Sequence, residues 1–282
     1  MSVQFHDGEL ERLLADDAPY GDLTTDQLGL AGASGHMHFS ARGPMVAALV
    51  EAAARILEIS GARVTLQSFS GAFLPAGAPI LVAQGPAPAL LRGWKVAQTL
   101  IEIWSGVATS AHDIVVAARA QNPDICVACT RKNTPGTKKF AVAAIEAGGA
   151  VMHRLGLSET ILVFPEHLAF LPGATLEDVA TKLRQKAPEK KLALEARDFD
   201  EALAAARAGF HLIQTEKFPP QEIARLAVAL RGLPNRPLLA AAGGVKADNA
   251  RAYAVAGADI LVTSAPYAAA PRDVAVHIVA NC

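Results

Sequence analysis

The residues best suited to chemistry fall into two cationic groups. The first is Thr130-Arg131-Lys132-Asn133-Thr134-Pro135-Gly136-Thr137-Lys138-Lys139, and the second is His153-Arg154, just ahead of the apolar run Thr160 to Phe164. Residues 130–154 hold five Arg or Lys and one acid, Glu146. So much positive charge calls for an anion. Phosphate is the usual one, because Arg offers a bidentate fork and Lys a point charge. A solvated basic loop is the plainer alternative. Both groups, however, sit where apolar runs read as strands end, and α/β folds hold their ligands at strand ends.

Other strand ends add to this picture. In a barrel, side chains just after each strand share one mouth. In chain order they are Thr130, Arg131 and Lys132, then His153 and Arg154, Phe164, Glu195, Glu216, Gly243-Gly244 and Ser264. Cations stand on one side, carboxylates in the middle, and a small-residue turn at the far end, which suits a phosphorylated sugar. Gly243-Gly244 lies between a strand and a helix, so bare N–H groups there could hold a phosphate. An ordinary tight turn is the alternative. Ser264 could add a hydroxyl. Glu195 and Glu216 end apolar strands, where a carboxylate is costly to bury unpaired. They could bind ribose hydroxyls or a Mg²⁺ that carries pyrophosphate. They could instead form structural ion pairs with Lys217 or Lys132.

The elements that must position these residues follow from the apolar rhythm. Strands are expected at Ile125 to Thr130, Thr160 to Phe164, Leu192 to Ala196, Leu212 to Glu216, Leu238 to Ala242 and Ile260 to Thr263, with a seventh at Ala150 to His153. Helices are expected at 137–147, 175–187, 198–208, 219–230 and 246–256. Strand–helix units of about 20–30 residues imply right-handed crossovers and a parallel sheet, open or closed into a barrel. The gap between the seventh strand and Thr160 is too short for a crossover helix. The first hundred residues mix types. Helical spacing covers 8–15 and 44–60, and strand-like segments run from His36 to Ala41, Arg63 to Ser70 and Ile80 to Ala83. A long helix is expected over 88–120. We therefore expect an α/β chain. Residues 1–107, joined by the 270–282 tail, form an N-terminal α/β sandwich, and residues 108–269 form an incomplete six- or seven-stranded parallel α/β barrel.

Bulk properties exclude other classes. The 282 residues carry 26 basic and 27 acidic side chains, a net charge of −1, which argues against nucleic acid as a partner. Three cysteines give no disulfide framework. Cys126 and Cys129 have metal-site spacing but fall on opposite faces of one strand, so they read as packing residues. His36 and His38 share a strand face without a third ligand. Cys282 ends the chain and makes no prenylation box. The segment Met1-Ser2-Val3-Gln4-Phe5-His6-Asp7 lacks signal-peptide character, and no apolar window is long enough to span a membrane. A cytoplasmic protein is expected.

Seven ordered motifs carry a family resemblance. They are Gly21-Asp22-Leu23-Thr24-Thr25, Ser105-Gly106-Val107-Ala108-Thr109, Thr130-Arg131-Lys132, Pro135-Gly136, His153-Arg154, Glu195 and Gly243-Gly244. With them the chain resembles quinolinate phosphoribosyltransferase (nicotinate-nucleotide pyrophosphorylase) over nearly its whole length. The resemblance implies a sandwich domain and an incomplete barrel. It also implies a homodimer or higher oligomer, in which one subunit's sandwich closes its partner's mouth. The implied chemistry uses the small molecule phosphoribosyl pyrophosphate (PRPP) with Mg²⁺. Arg131, Lys132, His153 and Arg154 would neutralise the departing pyrophosphate. Glu195 and Glu216 would face the ribosyl cation and help place Mg²⁺, and Gly243-Gly244 would anchor the 5′-phosphate.

The departures point to a branch of that family. Lys95 stands where the family has arginine, Thr99 where it has asparagine, Phe164 where a lysine ends the strand, Glu216-Lys217 for aspartate-asparagine, and Ala242 for serine. Four segments are similar to the ModD-like pyrophosphorylases, the branch encoded with bacterial molybdate-transport genes: 94–98, 153–160, 240–244 and 261–267. That branch generally has aspartate at the position of Glu216. The expected function is PRPP-dependent phosphoribosyl transfer to an unidentified, aromatic acceptor. One alternative is a phosphosugar-binding regulatory paralogue without catalysis. Another is quinolinate phosphoribosyl transfer itself. A third is a phosphosugar isomerase or aldolase, for which Lys217 is the one candidate lysine.

Overall fold

The structure is a computed structural model that describes residues 3–281. The readings made on Met1, Ser2 and Cys282 lie outside the described residues. The chain divides into two compact units. One comprises the chain up to His112, Thr134–Gly149 and the segment from Pro266 onward; the other comprises Asp113–Asn133 and Ala150–Ala265.

The first unit begins with helices α1 (Asp7–Asp17) and α2 (Leu23–Gln27). They are followed by β1 (Ser34–Ala41), β2 (Met45–Val46), α3 (Val50–Ile59), β3 (Arg63–Leu66), β4 (Phe73–Leu74), β5 (Pro79–Pro86) and the long helix α4 (Ala87–Arg119), which from Asp113 on belongs to the second unit. A four-stranded antiparallel sheet sets the last strand, Val274–Ala280, beside β1, then β5 and β3. Alternation on β1 is strict: Gly35, Met37, Phe39 and Ala41 are buried, and His36, His38 and Ser40 point the other way. The two histidines share a face, as period two requires, and His38 lies in register with His277. Among the described residues no group of three His, Cys, Asp or Glu is placed to hold a metal ion.

Two motifs of the sequence do structural work here. Asp22 caps α2, with Oδ1 accepting the Thr24 and Thr25 N–H groups at 3.1 and 3.2 Å. A hydrogen bond from the Thr25 hydroxyl, followed by these two, holds its carboxyl below the usual range. The Ser105–Thr109 segment of α4 fastens the stretch between β2 and α3. Ser105 Oγ accepts the Ala48 N–H at 3.0 Å and Thr109 Oγ1 accepts the Val46 N–H at 2.9 Å. This explains one departure from expectation. The helix expected over 44–60 starts only at Val50, because residues 45–48 are extended against α4 and Leu49 turns left-handed at φ 58°. Gly106 leaves room for the chain after Pro266, since an added Cβ would meet the Ala270 carbonyl oxygen at 2.3 Å.

Helix α5 (Lys138–Ala147) also belongs to the first unit. Phe140 stacks between Phe5 and Trp104, with ring centroids at 5.0 and 5.9 Å, and Lys139 pairs with Glu9.

The second unit is a seven-stranded parallel sheet. Its elements are β6 (Cys126–Cys129), β7 (Val151–Met152), β8 (Ile161–Val163), α6 (Pro165–Leu168), α7 (Leu176–Lys186), β9 (Leu192–Ala196), α8 (Phe199–Arg207), β10 (Leu212–Glu216), α9 (Pro220–Arg231), β11 (Leu238–Ala242), α10 (Ala247–Val255) and β12 (Ile260–Thr263). The order β7-β6-β12-β11-β10-β9-β8 leaves β7 and β8 at the two edges, so the ring is open between them. The expected strand at 150–153 is therefore present but shrinks to two residues. The short link after it needs no crossover helix, because it joins the two edges of the opening. In-register positions form rungs across the sheet. Glu195, Gln214 and Ala240 share one rung, and Glu216 and Ala242 the next. Leu194, Ile213 and Leu239, fully buried, form a rung on the opposite, helix-covered face. Cys129 is buried and its thiol is pushed up to about 12 by that burial; burial raises Cys126 too. Both are packing residues, and neither is a ready thiolate. No described helix is long and apolar enough to cross a membrane.

The Ser105 and Gly106 contacts predict measurable losses. Ser105→Ala strands the buried Ala48 N–H and should cost about 1–3 kcal/mol. Gly106→Ala overpacks the backbone contact at Ala270 and should cost a similar ~1–3 kcal/mol. Urea unfolding of each variant gives the difference. A change within about 0.5 kcal/mol, the range of neutral surface substitutions, would remove these contacts as supports of the fold.

Candidate active site

A cavity of about 680 Å³ opens at the C-terminal ends of the second unit's strands. Thr130, Arg131, Lys132, His153, Arg154, Phe164, Glu195, Glu216, Gly243, Gly244 and Ser264 all line it. Lys95 is not among its lining residues. It lies on α4 in the first unit, where Nζ bonds Gln98 Oε1 at 3.0 Å and stands 4.4 Å from the Trp94 ring centre.

The cations come from two strand ends. Arg131 and Lys132 follow β6, and His153 and Arg154 open the link between the edges β7 and β8. Arg154 is only 6% exposed and forms no ion pair with a carboxylate among the described residues. Its guanidinium instead lies 5.6 Å from the Phe164 ring centre, a cation–π contact that offsets a small part of the cost of burial. Burial, then the charge of Arg131, lowers its proton affinity. His153 behaves similarly. Burial and the Arg154 charge push its pKa below the ordinary 6.5, with Gln214 working in the opposite direction. The imidazole is therefore neutral near pH 7.

Carboxylates face the middle of the cavity. Burial raises the Glu195 pKa, the Glu216 and Glu166 charges push the same way, and a hydrogen bond from Gln214 and the charge of Lys132 oppose them. Gln214 Nε2 donates to Glu195 Oε2 at 2.5 Å. Glu216 Oε1 lies 3.6 Å from Lys217 Nζ. The ion-pair alternative is thus realised for Glu216, but the lysine side chain is 78% exposed, so the pair is weak. An exposed, paired lysine is also not the desolvated amine that Schiff-base chemistry uses.

The glycine turn has a steric reason. Gly243 and Gly244 both have φ above +80°, in the left-handed region. A Cβ on Gly243 would meet Lys217 Cγ at 2.6 Å, the Lys217 nitrogen at 2.9 Å and Glu216 Oε1 at 3.0 Å. Lys217 is itself left-handed at φ 60°, with its N–H bonded to the Ala242 carbonyl at 2.8 Å. Asn249 fixes the turn from below: it accepts the Lys246 N–H at 2.8 Å and donates to the Gly244 carbonyl at 2.9 Å. Thr263 Oγ1 donates to the Val245 carbonyl at 2.7 Å, tying the last barrel strand to the same turn. A Cβ on Gly244 would meet nothing within 4 Å, so the turn is open on that side.

Glu195 and Glu216 give two carboxylates without a third protein ligand among the described residues. Such a set fits Mg²⁺ arriving with a phosphate-bearing substrate better than a resident ion in an all-protein cage. Sequence reasoning passed over Gln214, Asn249, Glu166 and Lys246. For Gln214 a signal existed. It is two residues before Glu216 on the same strand, so it shares that residue's face.

Comparison with known proteins agrees with this architecture. The model of the quinolinate phosphoribosyl transferase C-terminal domain matches residues 107–277, and that of the N-terminal domain matches residues 22–105. The chain is 48% identical over 244 residues to a Rhodobacter capsulatus protein named "Putative pyrophosphorylase ModD", covering 86% of this chain and 94% of the relative. It is 32% identical over 263 residues to the nicotinate-nucleotide pyrophosphorylase (carboxylating) of Mycobacterium leprae, covering 91% and 90%. The solved structure of NadC from Streptococcus pyogenes superposes with a TM-score of 0.90 at 21% identity, covering all of both chains. An open seven-stranded barrel with a cationic mouth, two matching domain models and full-length relatives lead to one assignment: the chain belongs to the quinolinate phosphoribosyl transferase family.

Proposed function

We propose that the protein is a phosphoribosyltransferase that uses PRPP with Mg²⁺ and transfers the phosphoribosyl group to an aromatic acceptor other than quinolinate. The observation that carries this reading is Arg154: a largely buried arginine without a carboxylate partner, lining one cavity with Arg131, Lys132 and His153. A partly desolvated cation of this kind favours a counter-charge from a ligand. On this reading the unit that works is a homodimer, with Lys95 serving the neighbouring subunit's cavity.

Loss of pyrophosphate from the anomeric carbon leaves positive charge on the ribose, as in glycoside hydrolysis. Arg131, Lys132 and Arg154 stabilise the charge gathering on the leaving group, and neutral His153 contributes an N–H. Glu195 and Glu216 stabilise the ribosyl cation and would be the residues to hold Mg²⁺, which when bound neutralises pyrophosphate. The N–H groups of the Gly243-Gly244 turn, with the Ser264 hydroxyl, hold the 5′-phosphate. A purely regulatory PRPP-binding protein would share the pocket; turnover of PRPP with any acceptor excludes it.

Arg131→Ala and Arg154→Ala should each weaken PRPP binding by about 2–3 kcal/mol, as when a charge-assisted contact is lost. Calorimetry with Mg²⁺ present measures this, and a wild type that binds no PRPP defeats the proposal.

Quinolinate should be a poor substrate. Lys95 offers an ammonium in place of a fork, and Phe164 puts an apolar ring where a cation would meet a second carboxylate. Lys95→Arg combined with Phe164→Lys should shift activity toward quinolinate. A kcat/KM of about 10⁴ M⁻¹s⁻¹ or more for the unmodified protein with quinolinate would show that these positions do not choose the acceptor.

The lowered His153 pKa has a signed consequence. Its folded value lies below the unfolded value of about 6.5, so the unfolded chain binds the extra proton first. Without anions, stability should be full above that value and fall as pH drops through it. His153→Gln should flatten the profile of melting temperature against pH between about 7 and 5. An unchanged slope in the variant would remove His153 as the source.

A further inference from the structure

Gln214 is a polar side chain in the wall of the cavity that the mechanism above does not use. It is 5% exposed, and its Oε1 is fully buried with no hydrogen-bond partner. Its orientation is not free. Glu195, in register on β9, is an acceptor when ionised, so Gln214 must turn its NH₂ toward it, and Nε2 does donate to Glu195 Oε2. That commits Oε1 to the other direction. The residue in register on β11 is Ala240, whose methyl group offers no donor. The His153 ring stands close enough to feel the amide, yet no hydrogen bond of acceptable geometry reaches Oε1. A buried carbonyl oxygen with no donor carries the full cost of its lost hydration, and native proteins rarely leave one so unless a ligand completes it. Its small apolar neighbours Ala240, Ala242 and Val262 form one cluster, of which Ala242 and Val262 line the cavity. A small apolar wall is a surface against which a flat ring can pack.

We propose that Gln214 selects the acceptor, with Oε1 taking a hydrogen bond from an N–H that the acceptor ring carries. The acceptor is then a heteroaromatic acid or amide bearing a hydrogen-bond donor, such as an amino group. A pyridine dicarboxylate does not qualify, because its polar atoms are all acceptors at neutral pH and one of them would face Oε1 as a second acceptor. The inference rests on the acceptor binding in this cavity, as the phosphoribosyl transfer reading requires. A site built to receive a donor discriminates strongly against an analogue that lacks it.

The test uses amino- and methyl-substituted nicotinates matched at each ring carbon, titrated calorimetrically into the full-length protein with and without PRPP and Mg²⁺. The two members of each pair are alike in size and differ in the N–H donor. The wild type should bind the amino member of at least one pair about tenfold more tightly, and Gln214→Met should bind both members alike. Gln214→Leu is the second variant should the first not fold, with circular dichroism melts as the check. The inference is overturned if no amino member binds the wild type. It also fails if no pair separates by more than about threefold, within the usual scatter of a neutral change, or if the apolar variants keep the wild-type preference. PRPP with Mg²⁺ is titrated separately. Failure there with the amino preference intact removes the phosphoribosyl reading and leaves Gln214's role standing. Binding there without the preference removes this inference alone.

Discussion

Burying a guanidinium without a carboxylate works against folding. The penalty for removing an unpaired ion from water is several kcal/mol even after relaxation, comparable to the net stability of many domains. Arg154 bears part of that penalty, since it is 6% exposed yet still lines the cavity, and the surroundings make sense as its consequences. Phe164 supplies a ring face in place of a counter-ion. His153, next in sequence, is kept neutral by burial and by this charge. The carboxylates that could have neutralised Arg154 are occupied elsewhere, Glu195 by Gln214 and Glu216 by Lys217. Arg154 is therefore left without a counter-charge of its own, and a ligand carrying negative charge would supply one.

The backbone around the mouth is arranged for close approach. Gly243 is glycine because the Lys217 backbone and the Glu216 carboxylate occupy the space a Cβ would need. The left-handed lysine at 217 is then a local strain of order 1 kcal/mol, held by its bond to the Ala242 carbonyl. Two adjacent strand ends are thereby coupled. The Gly243-Gly244 turn and the Glu216 carboxylate cannot move independently.

Much of this was legible in the sequence, for reasons that can be named. The barrel strands were visible because parallel strands covered on both faces read as apolar runs, and every mouth residue inferred from a strand end lines the cavity. What stayed hidden depends on tertiary partners. Nothing local in residues 44–49 says that their N–H groups are taken by Ser105 and Thr109, far along the chain. The Ser105–Thr109 motif marked the family in sequence, but its physical work, clamping one extended segment and admitting another at Gly106, appears only in three dimensions. Helix α5 has ordinary barrel-helix periodicity. Its grouping with the first unit is decided by Phe140 meeting Phe5 and Trp104. Gln214 was missed because one polar residue inside an apolar run reads as tolerated, until the structure shows its carbonyl oxygen without a partner.

The opening between β7 and β8 has a further consequence. A sheet with free edges exposes backbone groups that another chain can pair with, and this is how edge strands seed aggregation. A closed barrel has no such edges. This one keeps two, but they are only two and three residues long, and the link leaving the first begins with a histidine and an arginine. An incoming strand would find too few ladder positions to register and, beyond β7, His153 followed by the charged Arg154. The short edges let the barrel stay open at the place where its cations enter without offering a template for uncontrolled self-association.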